Sequence, residues 1–161
     1  MDFDQRLEKA INRGFRKKDA AEQERERQRL TEEECRSLHS RARMELSAHV
    51  NTGLSKLVDH FPGFDFQEVV SADGWGGKVA RDDLAGAPGK PMSRLYSHLE
   101  VLVKPMSSAR IVELGVRGAI RNKETLSRSH YQRLDELDLE TFKDVVDQWL
   151  LEYAEKFAMS S

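Results

Sequence analysis

The chain has 161 residues, of which 39% are apolar and 34% charged, and its 26 basic and 28 acidic side chains leave a net charge of −2. That length suits one domain with an appendage, and the charged share exceeds the ~25% of an average globular domain, so part of the chain buries little surface. No broad basic field is present to attract a phosphate backbone, no apolar run approaches the ~18 residues of a membrane span, and no charged start leads into the apolar stretch of a secretory signal.

The single cysteine, Cys35, rules out an intrachain disulfide and fits a reducing compartment, the cytoplasm. The acidic excess is local: residues 134–161 hold eight acidic and two basic side chains, which reads as the solvated face of a packed helix.

Phe3, Leu7, Ala10, Ile11 and Phe15 recur at helical spacing and form one apolar stripe. Asp2 with Gln5 resembles a capping box at the start of that helix. After Phe15 the stripe stops. Residues 17–29 are polar all round but composed of helix formers, so they predict a solvent-bridging rod. Thr31 and Glu34 form a second capping box, with Leu30 and Cys35 placed to staple it. A second helix therefore starts at Glu32, either continuing the first or turning back beside it as a hairpin.

The second helix runs to His60, where Phe61-Pro62-Gly63 stops it. Cys35, Leu38, Ala42, Leu46, Val50, Leu54, Leu57 and Phe61 give it an apolar stripe that drifts around the axis. Ala48, Asn51, Thr52 and Ser55 are small enough to let another helix come close, either the first helix or a second copy.

Phe66 to Ser71 predicts a strand, Asp73 to Gly77 a glycine-rich turn around Trp75, and Lys78 to Arg81 a return strand. Residues 85–91 read as a loop. Arg94 to Lys104 and Ile111 to Arg121 alternate as strands. Setting Val103 opposite Val112 pairs Leu99 with Val116 and His98 with Arg117. It also avoids the opposition of Glu100 and Glu113 that a two-residue slip would create. A short edge strand is expected near Thr125 to Ser129.

Asp138 caps a last helix whose Leu139, Phe142, Val145, Val146, Trp149, Leu150, Tyr153 and Phe157 make a core face. The expected fold class is α+β: a long N-terminal helix or helical hairpin, an antiparallel meander of four to five strands, and a C-terminal amphipathic helix on one face of the sheet. Residues 1–30 are the charged helical arm and residues 31–161 the single α+β domain.

No motif here specifies a reaction. His39, His49 and His60 stand ~15 Å apart along one helix, too far to share an ion. Glu45 and His49 alone are too few ligands, so no metal and no cofactor are expected. Gly86-Ala87-Pro88-Gly89-Lys90 lacks the spacing and the hydroxyl of a phosphate loop. Cys35 and His39 lie one turn apart, but Cys35 reads as a packing residue rather than a nucleophile. Arg13, Arg16, Lys17 and Lys18 form a basic cluster that nearby acids offset, so nucleic-acid binding is not expected.

Two functional expectations remain. The leading one is a non-catalytic protein-interaction domain that forms homo-oligomers, or meets a protein partner, through Phe3, Leu7, Ile11 and Phe15. The alternative is a small-ligand-binding domain or enzyme, with a pocket between the helices and the sheet lined by Trp75, Tyr96, His98 and Arg117.

Overall fold

The computed structural model describes the backbone of residues 2–160 and the side chains of all of these except residues 27 and 28. The chain forms two units, Met1–Glu34 and Cys35–Ser161. In the first, helix α1 spans Phe3–Gln28, and the Asp2 carboxylate accepts a hydrogen bond from the Gln5 amide at 2.9 Å, as its position before the first turn requires. The helix ends where Arg29 turns extended. Thr31 Oγ1 accepts from the Glu34 amide at 3.1 Å and caps α2, Glu32–His60. The two helices are thus separate, as the capping box implies.

The second unit is an α+β fold. Five strands, β1 (Asp65–Ser71), β2 (Gly74–Ala85), β3 (Ser93–Val103), β4 (Ile111–Ile120) and β5 (Lys123–Arg133), form an antiparallel sheet in sequence order. Helix α3, Leu139–Ser160, packs on one face of that sheet, and α2 lies on the same face. Val79, Leu99, Val101, Val103, Val112, Leu114 and Val116 point inward from the strands and are buried. Leu46, Val50 and Leu54 of α2, with Phe142, Val146 and Tyr153 of α3, meet them with no exposed surface. At ~1.5–3 kcal/mol for each large buried side chain, this layer is the main favourable contribution to folding.

The α2 stripe differs slightly from the one read in the sequence: His39 is buried while Leu38 is only half-buried. The helix that comes close to α2 is α3. A Cβ at Gly53 would meet the Leu150 side chain. The small residue Asn51 faces Gly77 of β2 instead.

Beyond the end of α2, Phe61 and Phe64 stack edge-on against Phe157, with ring centroids 5.0 and 4.9 Å apart. Arg81 closes this cluster. Its guanidinium lies 5.6 Å from the Phe157 ring centroid and donates to the Pro62 carbonyl.

The sheet corrects three local expectations. Residues 74–77 belong to β2 rather than to a turn; only Ala72 and Asp73 turn, and Ser71 pairs directly with Gly74. Glycines in a strand mark close approach. At Gly77 a Cβ would collide with Asn51 Oδ1 and come within 2.8 Å of Leu54 Cδ1, so α2 lies almost on the strand backbone.

The β3–β4 register is the second correction. Val103 faces Leu114, Val101 faces Val116 and Leu99 faces Gly118, two residues from the pairing of Val103 with Val112. This slip runs opposite to the one that would oppose two glutamates, and it sets Glu100 against Arg117, an attractive cross-strand pair.

The third concerns the ends. β2 and β3 pair as far as Ala85 and Ser93, past the last β3–β4 pair at His98 and Ala119, so they project as a two-stranded ribbon. β5 extends from Lys123 to Arg133, longer than expected, with a register shift at Gly118/Ala119.

Candidate functional site

Alternation along the strands puts Lys78, Tyr96, His98, Glu100 and Arg117 on the sheet face opposite α2 and α3. Three of them form a row across the strands: Lys78 pairs with Glu100, which pairs with Arg117. The carboxylate thus sits between two cations. In the adjacent row His98 lies between Ala80 and Ala119, and these short neighbours leave space beside the imidazole. The result is a hollow of about 240 Å³ lined by Lys78, His98, Glu100, Arg117, Asn122 and Glu124. A second hollow of about 410 Å³ shares Glu100 and Arg117 and continues toward Lys104 and Ser129 over Gly115.

The ring of Tyr96 stacks on that of His98 at 5.3 Å and 29°. Lys78 Nζ lies 5.7 Å from the Tyr96 ring centroid, within range of a cation–π contact. His98 Nδ1 is buried and makes no hydrogen bond within the chain. Burial pushes the His98 pKa below its ordinary value; Lys78 and Arg117 push it the same way, while Glu100 and Glu124 oppose them. The imidazole is therefore neutral near pH 7 and can accept or donate one hydrogen bond at each nitrogen according to tautomer.

Asn122 fixes one end of this site. Arg121 and Asn122 both adopt positive φ, 49° and 70°, and make the two-residue turn between β4 and β5, the hairpin geometry that matches strand twist. From there Asn122 Oδ1 accepts from the Tyr96 amide at 2.9 Å and Nδ2 donates to the Arg94 carbonyl at 2.8 Å. The Ser97 hydroxyl accepts from the Arg121 amide. Sequence reading did not find Asn122 or Glu124. The available signal was an asparagine at the second position of a two-residue connection, which is where a left-handed residue belongs.

Of the four expected ligand-lining residues, Tyr96, His98 and Arg117 share this face. Trp75 does not. It lies on the face that carries α2, where the Arg43 guanidinium sits 3.3 Å above its ring centroid. The space between α2, α3 and the sheet is filled by core side chains. Outside it, a shallow apolar groove of about 600 Å³ runs between α2 and α3 past Gly53, Leu57, Phe61, Leu150, Leu151 and Ala154.

The remaining histidines have separate settings. His49 Nε2 lies 2.8 Å from Asp147 and Glu45 accepts from Lys143 at 2.9 Å, so Glu45 and His49 face different partners on α3. His39 is buried with Nε2 unpartnered. Burial and Arg43 lower its pKa, while a hydrogen bond with the Lys104 backbone opposes them. Among the described residues no three His, Cys, Asp or Glu side chains gather as metal ligands. Cys35 is a buried free thiol. The 86–90 segment forms the tip of the β2–β3 ribbon.

The other expected surface is on α1. Phe3 is 72% exposed, Leu7 46%, Ile11 48% and Phe15 62%, which leaves four large apolar side chains along ~18 Å of helix open to solvent. Among the described residues no helix is long and apolar enough to cross a membrane. Comparison with protein-family models, with curated proteins and with solved structures finds no match.

Proposed function

We propose that this chain is a non-catalytic protein-interaction domain that associates with copies of itself through the apolar stripe of α1. The supporting observation is the exposure of Phe3, Leu7, Ile11 and Phe15 on one side of a 26-residue helix. Single exposed apolar residues are ordinary, but a contiguous row bordered by charges is the usual form of an interaction surface. Amphipathic helices meet partners through anchors at this spacing. Burying the row on association would recover free energy that the isolated chain leaves unused, and would couple stability to protein concentration. The buried, free Cys35 suits assembly in a reducing cytoplasm.

The test is the molar mass in light scattering. Ile11→Glu in the full chain, or removal of residues 1–29, should lower the mass to that of one chain at concentrations where the intact protein is larger. The same mass in all three samples would overturn the reading.

A second reading, small-ligand binding on the outer sheet face, rests on His98. Its buried, unpartnered Nδ1 borders a hollow that also holds two cations and two carboxylates. Such convergence of polar groups in a concavity is how ligand sites orient what they hold. Titration with inorganic phosphate and with glycine, followed by the His98 ring resonances, tests it. Resonances that move with neither probe, or that move equally in a Lys78→Gln, Arg117→Gln variant, would count against a site built by these cations.

A further inference from the structure

The stripe on α1 carries its own address. On a helix that advances 100° per residue, Asp4 and Lys18 each lie seven residues from Ile11 and so within about 20° of it around the axis. Both belong to the apolar row, one at each end. The flanking charges follow the same division. On the stripe's side of the helix Asp4 and Glu8 stand at the Phe3–Leu7 end and Lys18 at the Phe15 end, while Arg6, Lys9, Arg13 and Arg16 lie on the far side. The row is therefore an apolar segment with an acidic end and a basic end.

We infer that the occupant of this stripe is the α1 helix of a second copy, lying antiparallel and crossing near Ile11, so that Asp4 of each chain meets Lys18 of the other. This rests on the self-association proposed above and specifies its geometry. A parallel, in-register pair would bring Lys18 against Lys18 at one end and the Asp4 and Glu8 carboxylates against their copies at the other. Like charges juxtaposed across an interface oppose association, and opposite charges fix orientation. The antiparallel pair converts both repulsions into attractions. Ala10 and Gly14, on the same side of the helix, present little bulk and let the two backbones come close at the crossing.

A second copy of the arm is also the partner whose charge pattern is certain to complement this one, because a two-fold axis perpendicular to the helix exchanges its ends. The same surface then serves both chains, and the contact closes at two copies rather than propagating.

Cysteine cross-linking with a mass measurement tests this. Asp4→Cys and Lys18→Cys full-length variants are purified apart, and each is oxidised under mild conditions alone and as an equal mixture. Cys35 is buried and does not compete. The expected result is a disulfide-linked heterodimer from the mixture and no cross-linked product from either variant alone. Cross-linking of Asp4→Cys with itself would overturn the antiparallel geometry while leaving self-association intact. So would a dimer in light scattering that cross-links in none of the three samples. A single-chain mass for the unmodified protein at every concentration would overturn the inference together with the reading it rests on.

Discussion

The guanidinium carbon of Arg43 lies 3.3 Å above the centroid of the Trp75 ring. This contact ties the first half of α2 to the turn end of β2, in the row where Trp75 pairs with the buried Val103. A cation above the face of tryptophan gains from the ring quadrupole, by ~1 kcal/mol or somewhat more when partly desolvated. Arg43→Met keeps the apolar stem and removes the cation. It should destabilise the protein by about 1 kcal/mol in urea unfolding, and in a Trp75→Leu background the same change should cost less. Equal cost in both backgrounds would show that the pair is not coupled.

Gly77 sets how near α2 can lie to the sheet. An alanine there would drive its Cβ into Asn51 Oδ1 and against Leu54 and Phe66. Overpacking of this kind costs ~1–3 kcal/mol, so Gly77→Ala should lower the unfolding midpoint in urea. The double variant Gly77→Ala, Asn51→Ala should recover part of the loss. A Gly77→Ala protein as stable as the original would mean that α2 shifts freely.

Tyr153 is buried, and its hydroxyl donates to the Ala119 carbonyl at 2.9 Å. Burial, with a smaller contribution from Tyr96, raises its pKa far above the ordinary tyrosine value. Tyr153→Phe removes the donor without a cavity and should cost ~1 kcal/mol, the net value of one such bond plus the unpaired carbonyl. Spectrophotometric titration should show the same number of tyrosines ionising before alkaline unfolding in the original protein and in Tyr153→Phe, because Tyr153 does not contribute.

Acidification should weaken the fold in a defined direction. His39 and His98 both have pKa values lowered from 6.5 on folding, chiefly by burial. A histidine of this kind is more easily protonated in the unfolded chain, so its contribution is complete above pH 6.5. That contribution is lost as the pH falls from 6.5 toward the folded value. Urea midpoints should be level between pH 7 and 8 and fall below pH 6.5. His39→Gln and His98→Gln should each flatten the slope; an unchanged slope in both would assign the acid sensitivity elsewhere.

Glu100 stands between Lys78 and Arg117 on neighbouring strands. Glu100→Lys would oppose three cations in a row and should destabilise by about 1 kcal/mol, more at low salt than at high. A salt-independent loss would point to side-chain packing as the cause.

Much of the architecture was legible because burial imposes a period. The α3 stripe from Phe142 to Phe157 and the alternation of Leu99, Val101 and Val103 against Leu114 and Val116 can each satisfy only one face of one element. The two capping boxes were legible for a different reason: Asp2 and Thr31 make their hydrogen bonds within three residues. The β3–β4 register was not. Apolar alternation repeats every two residues, so slips by two look alike from the core. The deciding features were the Glu100–Arg117 pair and the tight Arg121–Asn122 turn.

Gly74 to Gly77 resembled a turn because glycine is common there. What distinguishes a strand glycine, the nearness of Asn51 and Leu54, lies in distant sequence. The separation of Trp75 from Tyr96, His98 and Arg117 follows from the same misreading. Once residue 75 belongs to a strand, its parity decides its face.

The sequential order of the strands bears on how the protein is made. Each strand pairs with the one just synthesised, so the meander can assemble hairpin by hairpin with short loops to close. Helix α3 follows all of them. Until residues 139–160 leave the ribosome, the cover that Phe142, Val146 and Tyr153 give the sheet is missing, and its inward face is an oily flank open to the surroundings. A premature stop before Leu139 would leave the polypeptide permanently in that condition, a natural client for chaperones that grip exposed hydrophobic chains.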